Sequence, residues 1–181
     1  MELSSKQIEQ FNKDGYIIFP ELFTSDEIEI FKNEVDRVSK IRSEVVVREG
    51  EDEAVKIMFQ LHEENVETAS PPFRTAARSP RILRTAQQCL GDEELYLHHS
   101  KLNMKSAIEG SAWPWHQDFH SWHLDGIKQP DMVTVTVVLT EASPINGCMY
   151  VLPGSHKQGR SDPRWDDSTA YKLWVARTPD M

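Results

Sequence analysis

The run Met132–Thr140, MVTVTVVLT, commits the second half of this chain to β-sheet. Five of its nine residues are Val or Leu and three are Thr, and β-branched side chains suit a pleated, packed surface better than a helix. Shorter strand signals surround it. Leu95–Lys105 alternates so that His99, Lys101, Asn103 and Lys105 share one face, with His98, Ser100, Leu102 and Met104 on the other. After the valine run, SPING at Ser143–Gly147 is a turn signal with asparagine before glycine. Cys148–Leu152 reads as the next strand, Pro153-Gly154 as a turn, Asp162–Ser168 as a polar loop and Tyr171–Ala176 as a further strand.

The first half has a different period. Ser4 with Gln7, and Thr24 with Glu27, are capping boxes, and they predict helices at about Ser5–Asp14, stopped by Gly15, and about Ser25–Ile41. Ile28, Phe31, Val35 and Val38 give the second helix its apolar face. Tyr16–Phe19 is a short β-like run. Val45–Val47 and Val55–Leu61 read as strands joined by the acidic loop Glu49–Glu53, with Lys56 expected to snorkel at an edge unless a carboxylate meets it. Pro71-Pro72 breaks the chain, and Ser79-Pro80 opens a helix that runs to Leu90 before Gly91. Helices followed by successive antiparallel strands predict an α+β protein whose β part is a sandwich or jelly roll.

Size and charge narrow the function. At 181 residues the chain fits one domain, residues 1–181. A net charge of −9 argues against a nucleic-acid partner and against an anionic membrane surface. No apolar run is long enough for a membrane span, and MELSSKQIEQF lacks the basic and apolar regions of a secretory signal. Cys89 and Cys148 have no CxxC partner, so a reducing, cytoplasmic setting is expected.

The chemistry concentrates in Trp113–Trp122, WPWHQDFHSW. On a strand, His116 and Asp118 would aim at one point, supplying two ligands of a 2-His-1-carboxylate site for non-haem Fe(II) with positions left open. Trp113, Trp115, Phe119 and Trp122 would limit water access. The polar face of Leu95–Lys105 either faces solvent or lines the same cavity. A zinc reading through His116, His120 and His123 needs a helix, and Pro114 and the scarcity of helix formers argue against one. No G-x-S-x-G elbow, Walker motif or dinucleotide glycine motif occurs.

The stretch HHSKLNMKSAIEGSAWPWHQDFHSWHLDG and the later PDMVTVTVVLTEASPINGCMYVLPGSHKQG resemble the phytanoyl-CoA dioxygenase family, its ectoine-hydroxylase-like branch in particular, as does DGYIIFPELFTSDEI near the N-terminus. The resemblance implies a double-stranded β-helix: N-terminal helices with interspersed strands over 1–94, and jelly-roll strands over 95–181. It implies Fe(II) and, as co-substrate, 2-oxoglutarate, with dioxygen used to hydroxylate a small organic substrate while 2-oxoglutarate is decarboxylated to succinate. His116 and Asp118 become iron ligands and catalytic residues. Lys101 and Asn103, with Lys56 and Thr136, match co-substrate positions, and His99 and Trp122 match positions near the substrate. The family's second iron-binding histidine and its co-substrate arginine lie downstream of PGSH, where this sequence has only His156, itself part of that motif. The chain is therefore expected to correspond to the N-terminal part of such an enzyme, with an uncompleted sheet edge open to self-association. The alternative is a non-catalytic jelly-roll fragment or binding protein lacking the third ligand.

Overall fold

The computed structural model describes residues 1–107, 110–167 and 173–176. Five helices and two antiparallel sheets alternate as α1 (Ser5–Asp14), α2 (Ser25–Ser39), β1 (Val46–Glu49), β2 (Ala54–Phe59), α3 (Pro71–Ala77), α4 (Pro80–Leu90), β3 (Lys101–Asn103), α5 (Asp118–Leu124), β4 (Pro163–Asp166) and β5 (Leu173–Ala176). A single 3-10 turn, Ser155–Lys157, lies between α5 and β4.

The helices begin where side chains satisfy their first amides. Ser4 and Gln7 cap α1 reciprocally, Thr24 and Glu27 do the same for α2, and each box closes two donors that would otherwise lack partners. Gly15 and Gly91 end α1 and α4 in the left-handed conformation. At Gly15 the need is twofold, because a Cβ there would run into the His156 ring. The PGSH turn docks at that point: Gly154 N–H donates to the Asp14 carbonyl at 2.8 Å, and the His156 ring lies 3.2 Å from the Asn12 carbonyl.

One face of α2 builds the core. Val35 and Val38 pack with Val46, Met58, Leu61 and Leu102, and Phe73, Met104 and Leu139 close the margin. The first sheet runs β1-β2-β3, with Val46 opposite Met58 and Met58 opposite Leu102, so one apolar row crosses all three strands. The register of β1 against β2 moves from Val47↔Ile57 to Arg48↔Val55, which leaves Lys56 as the extra residue of a β-bulge. The second sheet is the β4-β5 pair, and α5 packs beside β5.

Several expected elements differ. Tyr16–Phe19 forms no strand, and Ile18 is exposed, since no neighbouring edge offers it hydrogen bonds. Pro71 and Pro72 start α3 instead of breaking the chain, because proline suits a helix's first turn, where no intrahelical N–H bond is lost. The long strand at Leu95–Lys105 shrinks to Lys101–Asn103, the part that finds β2. Met132–Thr140 and Cys148–Leu152 form no ladder among the described residues, and Val135, Val138, Met149 and Tyr150 stand exposed. Pro163–Asp166, read as loop, is a strand because β5 pairs with it; Ser168, Tyr171 and Lys172 lie outside the described residues.

Candidate active site

Asp118 does not sit on a strand. The chain passes Pro114 in irregular conformation and enters α5 at Asp118, so His116 precedes the helix and Asp118 occupies its first turn, where a carboxylate is favoured by the helix N-terminus. The two side chains converge all the same, His116 Nε2 lying 3.3 Å from Asp118 Oδ1. The tautomer is set from behind. His116 Nδ1 lies 2.8 Å from the Pro114 carbonyl, which can only accept, so Nδ1 carries a proton and Nε2 is the nitrogen presented to Asp118. Asp118 also accepts from Thr134 Oγ1 at 3.0 Å.

This pair opens on a cavity of about 230 Å3 lined by Phe59, His99, Lys101, Trp113, the α5 residues Ser121, Trp122 and Leu124, and Asp125 at the C-terminal end of that helix. Its back wall is aromatic: His99 stacks tilted on Trp122 at 4.6 Å and on Phe59 at 5.5 Å. Lys101 Nζ lies 5.3 Å from the Trp113 ring centroid, a cation held over an indole face. A second depression, along α1 between Lys6 and Asp14, is lined by one helix face alone and brings no reactive groups together.

Charge is distributed unevenly in the cavity. The hydrogen bond to Asp118 raises the His116 pKa against the opposing effect of burial, with the Pro114 carbonyl adding to the rise. That same bond holds the Asp118 carboxyl down at about 2, helped by the Lys101 charge. Burial pushes His99 down to about 4, with Lys101 and His98 acting in the same sense, so it is neutral at physiological pH. Its Nε2 is buried and without a hydrogen-bond partner.

The structure thus brings together six residues singled out from sequence: His99, Lys101, Trp113, His116, Asp118 and Trp122. Asn103 and Thr136 are exposed and outside the lining, and Lys56 is buried beneath it. Thr134, two residues before Thr136 and on the same face of an alternating run, is the threonine that reaches Asp118. Ser121 and Asp125 entered the lining through helix formation, which strand alternation could not foresee. Trp115 and Phe119 lie outside the lining.

The donor chemistry fits a metal of the iron type as far as it goes. An imidazole with its far nitrogen anchored to a carbonyl, next to an ionised carboxylate, is how protein ligands to such ions are oriented, the near nitrogen giving up its proton when the metal binds. Two donors converge here. Among the described residues no group of three or more His, Cys, Asp or Glu side chains could hold a metal ion, and His120 and His123 do not join the pair.

An α+β protein with a His-x-Asp pair set in the wall of an aromatic, lysine-bearing pocket is the class these features define. Its lineage is narrower: the chain belongs to the phytanoyl-CoA dioxygenase (PhyH) family, whose model matches residues 11–177. Among curated relatives, ectoine dioxygenase of Bordetella bronchiseptica is 33% identical over 86% of this chain and 50% of its own length. L-proline trans-4-hydroxylase of Streptomyces griseoviridis is 34% identical over 83% of this chain and 54% of its own. EctD from S. alaskensis with bound Fe superposes with a TM-score of 0.59 at 30% identity, covering 67% of this chain and 42% of that one. The same protein with 2-oxoglutarate and 5-hydroxyectoine gives a TM-score of 0.58. The chain spans about half the length of the curated relatives it matches.

Proposed function

We propose that this chain forms the part of a non-haem Fe(II)/2-oxoglutarate-dependent hydroxylase that carries the His-x-Asp half of the metal site, acting on a small organic substrate. The observation that carries the reading is the convergence of His116 Nε2 and Asp118 at 3.3 Å in the wall of an aromatic-lined pocket. In this reading His116 and Asp118 hold iron, and a further histidine completes the set. When bound, iron(II) activates dioxygen so that 2-oxoglutarate becomes succinate and carbon dioxide while one oxygen atom enters a substrate C–H bond.

The chain's own residues have separate tasks. Pro114 fixes the imidazole, Thr134 orients the carboxylate, and Lys101 offers the positive charge that a dianionic co-substrate needs. Neutral His99 and the Trp122 and Phe59 faces form an apolar bed for a compact substrate and exclude water from it. The relatives' names point to small cyclic amino-acid-like compounds, and ectoine and L-proline are the first candidates. We extend the proposal to architecture: a single domain whose strands over 95–181 belong to a jelly roll, in a cytoplasmic protein whose Cys89 and Cys148 are free thiols.

A second reading is favoured by the two-donor set: a non-catalytic binding protein on the same scaffold, in which Lys101 and the aromatic bed hold a ligand without turnover. Anaerobically prepared protein is mixed with Fe(II), 2-oxoglutarate, air and either ectoine or L-proline, with and without imidazole as a substitute third donor. Succinate release that depends on Fe(II) and disappears in His116→Ala supports the hydroxylase. Ligand binding with no succinate under any of these conditions supports the binding protein.

A further inference from the structure

Beneath the pocket lies a buried charged cluster that the proposed chemistry does not use. Lys56 is fully buried, and its Nζ donates to Glu49 Oε2 at 3.0 Å; the Glu49 side chain is only 7% exposed. Both partners converge on Ser111. Glu49 Oε1 accepts the Ser111 backbone N–H at 3.0 Å, Lys56 Nζ donates to the Ser111 carbonyl at 3.3 Å, and the Ser111 hydroxyl is hydrogen-bonded to both side chains. Every polar group of Ser111 is thereby tied to the β1-β2 hairpin. The β-bulge explains how Lys56 gets there, since the extra residue on β2 is the one whose side chain is redirected.

Ser111 stands two residues before Trp113 and five before His116, in a segment without regular structure of its own. Trp113 takes the Lys56 ammonium over its ring at 5.0 Å on one count and Lys101 at 5.3 Å on the other. The indole is therefore in contact with both the buried cluster and the cavity. We infer that Glu49, Lys56 and Ser111 are positioning residues: a buried strut that fixes the segment Ser111–His116 on the sheet and sets the Trp113 wall of the pocket, with Lys56 serving the strut and Lys101 serving the ligand. The inference rests on the pocket being the reactive site described above.

Fluorine NMR of the full chain labelled with 5-fluorotryptophan tests it without any metal, so its outcome is separate from that of the succinate assay. The Trp113 signal is assigned by Trp113→Phe, and Trp165 on β4 serves as reference. Glu49→Gln and Ser111→Ala are each expected to shift or broaden the Trp113 signal and leave that of Trp165 in place. Ser111→Ala removes one hydroxyl from a loop, so it decides the matter if Glu49→Gln does not fold. An unchanged Trp113 signal in Ser111→Ala, or equal movement of Trp113 and Trp165, overturns the inference.

Discussion

His116 presents one particular nitrogen because Pro114 occupies the other, and this small constraint makes the pair usable as a donor set. A cation at Nε2 finds the Asp118 carboxylate already ionised, held there by His116 and Lys101. Lys101 has a different role and should be separable from the pair. Lys101→Met is expected to weaken 2-oxoglutarate binding about tenfold, the size of a lost charge-assisted hydrogen bond, while Fe(II) binding stays near wild type. Isothermal titration of each ligand checks this, and parallel losses of both would remove the distinction. Glu49 gives a stability prediction. Burial raises its pKa, but hydrogen bonds from Ser111 and Lys56 outweigh burial and leave it lowered. Glu49→Gln leaves the Lys56 ammonium buried without its counter-ion, and a loss of roughly 3 kcal/mol is expected in urea unfolding.

Elements in the first half were readable because their signals are local. Ser4 with Gln7 and Thr24 with Glu27 act within four residues, and Ser79-Pro80 to Gly91 brackets α4 in the same way. The strands were less readable, since a ladder exists only where a partner lies alongside: Lys101–Asn103 has β2, and the valine run has none among the described residues. Trp113–Trp122 shows the same limit from the other direction. Its aromatic content and Pro114 read as extended chain, yet Asp118–Leu124 winds into α5, and the convergence of His116 with Asp118 comes from entry into a helix. The pair itself was legible; the geometry producing it was not. Glu27 links two elements, being both the third residue of α2, which closes its capping box, and the carboxylate that meets Arg81 of α4. The Arg81 hydrogen bond chiefly, with the Thr24 amide, lowers its pKa to about 2. A carboxylate with a depressed folded pKa contributes stability above its ordinary value of 4.5 and loses it as pH falls toward 2. Glu27→Gln should therefore flatten the pH dependence of thermal unfolding between about 4.5 and 2 and leave its slope above pH 6 unchanged. An unaltered acid limb would mean that the Glu27–Arg81 contact contributes nothing in solution.

Across the whole molecule, the packed core is drawn mostly from the first half of the chain, and the second half leaves much apolar surface exposed among the described residues. Val38, Ile57 and Met58 are fully buried around α2 and the first sheet, whereas Val135, Val138, Ile145, Met149 and Tyr150 face outward. Unpaired, valine-rich backbone with exposed apolar side chains is a template for strand addition. Self-association that grows with concentration is expected, and Val135→Lys with Val138→Lys should reduce it, as sedimentation velocity would show. A monomer at all concentrations would contradict that reading. Among the described residues no helix is long and apolar enough to cross a membrane. We place iron binding at one point in this molecule, the space between His116 and Asp118. Anaerobic Fe(II) titration followed through the ring-proton signals of the seven histidines tests it most directly. The expected result is a paramagnetic shift that appears first at His116, vanishes in His116→Ala and weakens at least tenfold in Asp118→Ala. Shifts that begin at another histidine, or that are the same in Asp118→Ala as in the unaltered chain, would contradict it.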